Sequence, residues 1–457
     1  MAIHPPRLQF LGAASTVTGS KYLLHYQDRK ILIDCGLFQG LKDLRLKNWE
    51  AFPVDPRTID AIVLTHAHID HSGYIPRLIK EGFRGKVYCT RATLELCRIL
   101  LPDTGYLQEE EAEYLNRRRL SKHQPALPLF GQKDAEESLR AFVPHDFDKE
   151  FELAPGLSVT FIYAGHILGA AQAIVRAGDR VIGFSGDLGR LQNPIFYPPA
   201  PPPPLDYLVV ESTYGDRRHE DAQPMEELAK IVNKAHQDGG VVMIPAFTVG
   251  RAQEIMYFLA QLKKSKRIPD LPMYLNSPMA TNVTSVFSKF RALHRLSERE
   301  CDETCGVVHY VKNVEESKEL NLKKGPMVII SASGMLTGGR ILHHIKTFGA
   351  DPKNFIVLSG FQALGTRGRK IQDGATEIKI FGELSPIGAQ VRTLQNLSAH
   401  ADYAEILTWI RDSQLQPKKV FVTHGEPSAA EAMKEKLQTE LGLDAVVPVQ
   451  DQEFLLD

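Results

Sequence analysis

Thr65-His66-Ala67-His68-Ile69-Asp70-His71-Ser72-Gly73 gathers three imidazoles and a carboxylate within six residues, directly after the apolar run Ala61-Ile62-Val63-Leu64. The run reads as a buried strand, so the cluster sits on the loop leaving its carboxyl end. A continuous helix would put His66 and Asp70 on one face and turn His68 away. An extended turn converges all four, with two ligands for one metal and two for a neighbour. The bland alternative is a solvated polar loop, but only 16 histidines are spread over 457 residues. Such local density is how metal ligands cluster, and the segment reads as half of a zinc site.

Four more polar residues repeat this placement at the ends of apolar runs. Ile31-Leu32-Ile33 ends in Asp34, and Thr160-Phe161-Ile162-Tyr163 leads to Gly165-His166. Val181-Ile182-Gly183-Phe184 leads to Gly186-Asp187, and Phe421-Val422-Thr423 leads to His424. Strand ends on one sheet edge present converging side chains, so these residues can meet despite their separation. His66, His68 and His166 then supply one ion, and Asp70, His71 and His424 another, with Asp187 bridging. Imidazole and carboxylate without thiolate suit zinc or another divalent first-row ion, and an incomplete shell leaves room for a bridging hydroxide. Asp34 reads as the acceptor of an imidazole N–H that orients a ligand.

Composition sets the frame. The length predicts two domains, or one with a large insertion. Hydrophobic residues at 43% and charged residues at 24% are those of a globular protein. No apolar stretch reaches the roughly 20 residues of a membrane span, and Met1 to Pro6 carries no signal-peptide pattern, so a cytoplasmic protein is expected. Five cysteines argue for reduced thiols, and the pair Cys301/Cys305 reads as incidental. A net charge of −1 excludes a globally basic nucleic-acid binder but not a locally positive cleft.

Along the chain, 7–11, 21–25, 30–34, 61–64, 86–89, 159–163, 172–176, 180–185 and 207–210 read as short strands, with helical composition at 92–100 and 108–119. Arg117-Arg118-Arg119 reads as a solvated helix face, and Pro198 to Pro204 as a stiff connector. From about residue 216 helices (225–236, 251–264) alternate with strands (240–245, 273–275, 327–331, 355–359), the pattern of a parallel sheet. Strands at 390–396 and 419–422 then lead to histidine-bearing loops, Ser398-Ala399-His400-Ala401-Asp402-Tyr403 and Thr423-His424-Gly425-Glu426. A histidine-loop style that returns after about 170 residues suggests an inserted domain.

His66-x-His68-x-Asp70-His71, with Asp34 before it and His166 and Asp187 after it, resembles the metallo-β-lactamase motif series. Glu211 after a strand, His400 and His424 resemble the three extra motifs of its β-CASP nucleases, and Gly12 to Ser20 is similar too. That family includes the cleaving subunit of the mRNA 3′-end complex, its bacterial and archaeal relatives, and RNase J. The resemblance covers essentially the whole chain and implies an αββα metallo-β-lactamase sandwich (1–213 and 388–457) with an inserted α/β β-CASP domain (214–387). One departure is Asn276, in Asn276-Ser277-Pro278-Met279, where an acidic residue is expected. The amino-terminal RNA-binding extension of archaeal relatives and the long carboxyl-terminal domain of RNase J are expected to be absent.

The resemblance implies a zinc-dependent ribonuclease, endo- or exonucleolytic, with RNA as its partner and no membrane. A homodimer is compatible with the sequence; no other protein partner is inferable. Two zinc ions about 3.5–4 Å apart activate water and clamp an in-line displacement at phosphorus, leaving 5′-phosphate and 3′-hydroxyl ends. Asp70, Glu211 and His400 are the expected catalytic residues, His400 as general acid poised by Glu211. Phosphate contacts are expected from the insert: Arg251, Ser331, Ser333, Gly334, Arg340 and Arg367, in glycine-rich segments whose amides can form an anion nest. The alternatives are a small-molecule thioesterase or lactamase, which needs no large insert, and a DNA-directed nuclease of the same fold. A di-iron oxidoreductase would carry Glu where His68 stands, and a dead scaffold would have lost ligands.

Overall fold

The computed structural model describes residues 5–119, 121, 123–219, 223–360, 362–394 and 397–457. The reading of Met1 to His4, and residues 395–396 of the expected strand 390–396, lie outside them. The chain divides into two compact units, one comprising residues up to Asn193, Tyr197–Arg218 and His400–Asp457, the other Pro194–Phe196 and His219–Ala399.

The first unit holds two seven-stranded sheets. One runs in the spatial order Glu453–Leu455, Arg7–Gly12, Lys21–Tyr26, Arg29–Ile33, Ala61–Val63, Lys86–Thr90, Phe142–His145. The other runs Ala445–Val446, Lys419–Thr423, Tyr207–Glu211, Arg180–Phe184, Ala171–Ala177, Leu157–Tyr163, Phe151–Ala154. Period-two alternation gives each sheet an apolar inner face. Leu8, Phe10, Tyr22, Leu24, Ile31 and Ile33 meet Phe161, Val175, Phe184, Val209 and Phe421 in one core, with the rings of Phe10 and Phe421 5.2 Å apart. The opposite face of the second sheet (Leu208, Val210, Val420, Val422) is covered by helices Tyr403–Asp412 and Pro427–Leu441 through Ile406, Ile410, Met433 and Leu437. Helix Arg91–Arg118 lies against the far strands of the first sheet. This is the αββα sandwich that the motifs implied.

Two expectations change here. The helical stretches 92–100 and 108–119 form one helix of 28 residues that continues through Pro102. A proline removes one helical hydrogen bond, and the buried side chains on both sides of it (Leu96, Leu100, Leu101, Ala112) hold the helix together across the gap. Strands Phe142–His145 and Phe151–Ala154 were not anticipated; both are mostly half-buried and carry no clean alternation.

The second unit contains a six-stranded sheet whose neighbours all run parallel, in the order His309–Tyr310, Met273–Leu275, Met327–Ser331, Val241–Pro245, Phe355–Leu358, Gln390–Thr393. Its central strands are buried along their whole length, which explains their unbroken apolar runs. Val242, Ile244, Val328 and Ile330 serve one core, and Val241, Met243, Met327 and Ile329 the other. Gln390–Thr393 pairs with Phe355–Leu358, so it belongs to this sheet. Among the described residues no helix is long and apolar enough to cross a membrane.

A histidine and carboxylate centre at the strand ends

Every anticipated metal ligand lies in the first unit. Asp34 directly follows Arg29–Ile33, Glu211 is the last residue of its strand, and His424 directly follows Lys419–Thr423. Asp34 and His424 sit in the left-handed region at φ 57° and 52°, which sharply turns the chain off each strand. Backbone bonds hold the turns, Asp34 N to Val63 O at 2.9 Å and His424 N to Ala13 O at 2.8 Å. The segment 65–73 is half loop and half helix, because His68 precedes the short helix Ile69–Ser72. His66 and His68 reach in from the loop, while Asp70 and His71 reach in from the helix. The packing is close enough that a Cβ on Gly36 would stand 1.6 Å from Asp70 O.

Hydrogen bonding decides which ring nitrogens face inward. Asp34 accepts Thr65 N–H at Oδ1 (2.8 Å), and at Oδ2 both the Thr65 hydroxyl (2.9 Å) and His71 Nδ1 (2.7 Å). Having donated to Asp34, Thr65 Oγ can only accept from His66 Nδ1, 3.1 Å away. Thr213 Oγ donates to His424 O (3.2 Å) and accepts from His424 Nδ1 (3.1 Å). The Nε2 atoms of His66, His71 and His424 therefore project inward.

They meet other donors at short range. His68 Nδ1 lies 3.2 Å from both His66 Nε2 and His166 Nε2, and Asp187 Oδ2 lies 3.3 and 3.4 Å from those two Nε2 atoms. On the other side His71 Nε2 is 3.1 Å from His424 Nε2 and 3.2 Å from Asp187 Oδ1, and Asp70 Oδ2 is 3.4 Å from His424 Nε2. Asp187 thus turns one oxygen to each group. Its buried Oδ1 has no hydrogen-bond partner, nor does His166 Nδ1. Lone pairs this close repel unless a cation lies among them, so the donor set fits two divalent ions.

Burial pushes His66 down to about 3 and His68 to about 4, so both are neutral, the form that ligates metal. At His71 burial acts the same way, but the Asp187 and Asp34 carboxylates outweigh it and raise the ring well above the usual value. A cation between His71 and His424 therefore displaces a proton.

His400 stands beside this centre. Glu211, fully buried, receives Leu188 N–H at Oε1 (2.7 Å), and His400 Nδ1 lies 3.0 and 3.2 Å from its two oxygens. Burial lowers His400, but Glu211 and Asp187 raise it to about 9. The loop is fixed by Ala401 N to Leu188 O (2.8 Å) and by Asp402, whose carboxylate caps helix Tyr403–Asp412 at Glu405 N (3.0 Å). Glu211 also falls within ligating reach of Asp187 and His424. Sequence reasoning missed Thr65, Thr213 and Ser20, whose Oγ is 3.4 Å from His71 Nε2. The signal for Thr65 was its place directly before His66.

The residues expected to contact phosphate lie in the second unit, and several of them make internal contacts. Ser331 is buried and donates to Asn276 O (2.8 Å), and Arg251 is buried against Glu254. Arg340 Nη1 binds Asn276 Oδ1 (2.9 Å), while Arg367 braces the carbonyls of Lys379, Leu336 and Thr337. The amides of Thr337 and Gly338 turn to Ser333 Oγ (3.0 and 3.3 Å), and Gly334 packs so tightly that a Cβ would lie 2.7 Å from Phe247. Internal partners take up several of these groups, while the buried Arg251 Nε has no hydrogen-bond partner. Asn276 explains its own departure: its Nδ2 donates to Ser317 Oγ (2.8 Å) and lies 2.7 Å from His344 Nε2, donations that a carboxylate cannot make.

A histidine and carboxylate cluster of this kind at the edge of an αββα sandwich fits a metallo-hydrolase. The metallo-β-lactamase superfamily model matches residues 16–224, the β-CASP domain model 252–371, and the model of the Zn-dependent metallo-hydrolase RNA specificity domain 385–448. The chain is 40% identical to Ribonuclease TTHA0252 of Thermus thermophilus over 92% of this chain and 93% of that protein. It is 33% identical to transcription termination factor FttA of Methanocaldococcus jannaschii over 92% of this chain and 67% of that one. A solved protein of unknown function from Enterococcus faecalis shares the fold, with TM-score 0.57 and 14% identity, covering 99% of this chain and 100% of that one. The chain belongs to the β-CASP ribonuclease family of metallo-β-lactamase-fold hydrolases, an enzyme of the nuclease class.

Proposed function

We propose that this chain is a two-zinc ribonuclease that hydrolyses RNA phosphodiester bonds in RNA processing or decay and leaves 5′-phosphate and 3′-hydroxyl ends. The observation that carries this reading is the double use of Asp187, one oxygen toward His66 and His166 and the other toward His71 and His424. His66, His68 and His166 would hold one ion and Asp70, His71 and His424 the other. Bound divalent ions supply Lewis acidity toward the phosphate and an activated water.

The chain's own groups do the rest. Asp34 fixes His71 directly and His66 through Thr65, while Thr213 fixes His424. Glu211 takes the Nδ1 side of His400, so Nε2 is the nitrogen that gives the proton to the departing O3′. The insert, near residues 214–387, carries the substrate-handling surface; RNA is the substrate because the relatives are named for RNA cleavage or transcript termination and an RNA specificity domain model matches residues 385–448.

The test is to give zinc-loaded protein the same sequence as single-stranded RNA and as DNA, together with a thioester, each with and without chelator. Chelator-sensitive cleavage of RNA is expected; hydrolysis of the thioester alone would overturn the reading.

A further inference from the structure

Between Phe38 and Glu50 the chain builds a small exposed platform beside the metal loop. Cys35 N binds His71 O (2.7 Å) and Leu37 N binds Ile69 O (2.9 Å), so the segment departs from the backbone that carries Asp70 and His71. Asn48 closes it, its Oδ1 receiving Phe38 N–H (2.9 Å) and its Nδ2 donating to Phe38 O (2.8 Å). The helix held in this clasp, Lys42–Lys47, buries none of its residues. Leu41, Leu46 and Trp49 are 48%, 50% and 49% exposed. Lone exposed leucines are ordinary, but three large apolar side chains within nine residues, one of them a tryptophan, form a patch.

Cations interleave with the patch. The segment holds Lys42, Arg45 and Lys47 against Asp43 and Glu50; among the described residues no ion pair is formed by the three cations, and Lys47 Nζ lies 5.5 Å from the centre of the Phe38 ring. Other exposed cations of this unit are matched to carboxylates, among them Lys80–Asp134, Arg91–Asp146 and Lys434–Glu431, whereas here the cations alternate with exposed apolar side chains. A half-exposed indole flanked by unpaired cations is the composition that holds single strands, by base stacking and phosphate contact without sequence readout.

We infer that Trp49, with Lys42, Arg45 and Lys47, is a docking platform for the single-stranded RNA substrate. Trp49 stacks a base, and the three cations hold neighbouring phosphates of the strand entering the metal loop. The inference rests on the ribonuclease reading and goes beyond it by placing one strand contact in the metallo-β-lactamase-fold unit.

The chain contains 2 tryptophans, and Trp409 is 4% exposed with its indole N–H on Ala200 O at 3.3 Å. Intrinsic emission that responds to a ligand at the surface therefore reports Trp49. Zinc-loaded full-length protein is titrated with a phosphorothioate-linked oligouridylate 12-mer carrying fluorescein, following Trp emission and fluorescein anisotropy. Emission is expected to quench along the anisotropy isotherm, and the salt slope to fall in a Lys42→Gln/Arg45→Gln/Lys47→Gln variant. With unmodified RNA, Trp49→Ala should raise KM about tenfold at unchanged kcat, within the range of one lost stacked base.

Anisotropy without quenching, or an unchanged KM, overturns the platform and leaves the ribonuclease reading intact. Emission that shifts with protein concentration alone means that a second copy covers the patch, which also overturns it. Absence of both RNA binding and RNA cleavage overturns the ribonuclease reading itself.

Discussion

Glu211 grips His400 from one side of its ring: Nδ1 lies 3.0 Å from Oε2, while Oε1 is committed to Leu188 N–H at 2.7 Å. The carboxylate is buried and His400 is raised to about 9, against the effect of burial, by Glu211 and Asp187. His400→Ala should keep both zinc ions and lose about 10²–10⁴-fold in RNA cleavage, the usual worth of a proton donor. Metal analysis beside single-turnover rates checks this. Loss of one zinc equivalent from His400→Ala would make it a ligand instead.

His68 behaves differently because its Nδ1 stands between His66 and His166. His68→Ala should hold close to one zinc equivalent where the unaltered protein holds two, and lose activity with it. Full retention of two equivalents by plasma emission analysis would contradict the ligand assignment.

Thr65 relays the Asp34 carboxylate to His66, donating at 2.9 Å and accepting at 3.1 Å. Thr65→Val keeps the shape and removes both bonds. Zinc affinity by chelator competition should fall about 10–100-fold, the usual effect of losing a group that orients a ligand, and Thr65→Ser should restore it. An unchanged affinity in Thr65→Val would remove Thr65 from the site.

Removing metal leaves the inward lone pairs of His66, His68 and His166 facing one another at 3.2 Å. Ions that bind only the folded chain at about a thousand times their Kd stabilise it by about 4 kcal/mol. Calorimetry should show Tm lowered by several degrees after chelation and restored by zinc. A Tm indifferent to chelator would mean that these groups do not hold metal.

Much of the centre was legible because each ligand ends an apolar run, and a buried strand delivers its last side chain to a predictable edge. Asp34, His166, Asp187 and His424 were found this way. The internal partners of the phosphate candidates were not, because a sequence shows a guanidinium but not what it touches: Arg251 lies against Glu254, and Arg340 reaches Asn276 across 64 residues. Likewise Gln390–Thr393 read as a return to the first sheet style, since nothing local reveals that Phe355–Leu358 is its neighbour. The stretches 92–100 and 108–119 read as separate, and the tertiary burial of Leu96, Leu100 and Leu101 carries one helix past Pro102.

The central claim is that water, activated by the metal that His66, His68, His166, Asp70, His71, His424 and Asp187 would hold, is the nucleophile, and that the ribose hydroxyl takes no part. The direct test is to map the ends produced from a defined, end-labelled RNA by zinc-loaded protein. The account predicts 5′-phosphate and 3′-hydroxyl termini, and undiminished cleavage when the 2′-hydroxyl at the scissile position is replaced by hydrogen. A 2′,3′-cyclic phosphate, or loss of cleavage on that replacement, would show that ribose supplied the nucleophile and would contradict it.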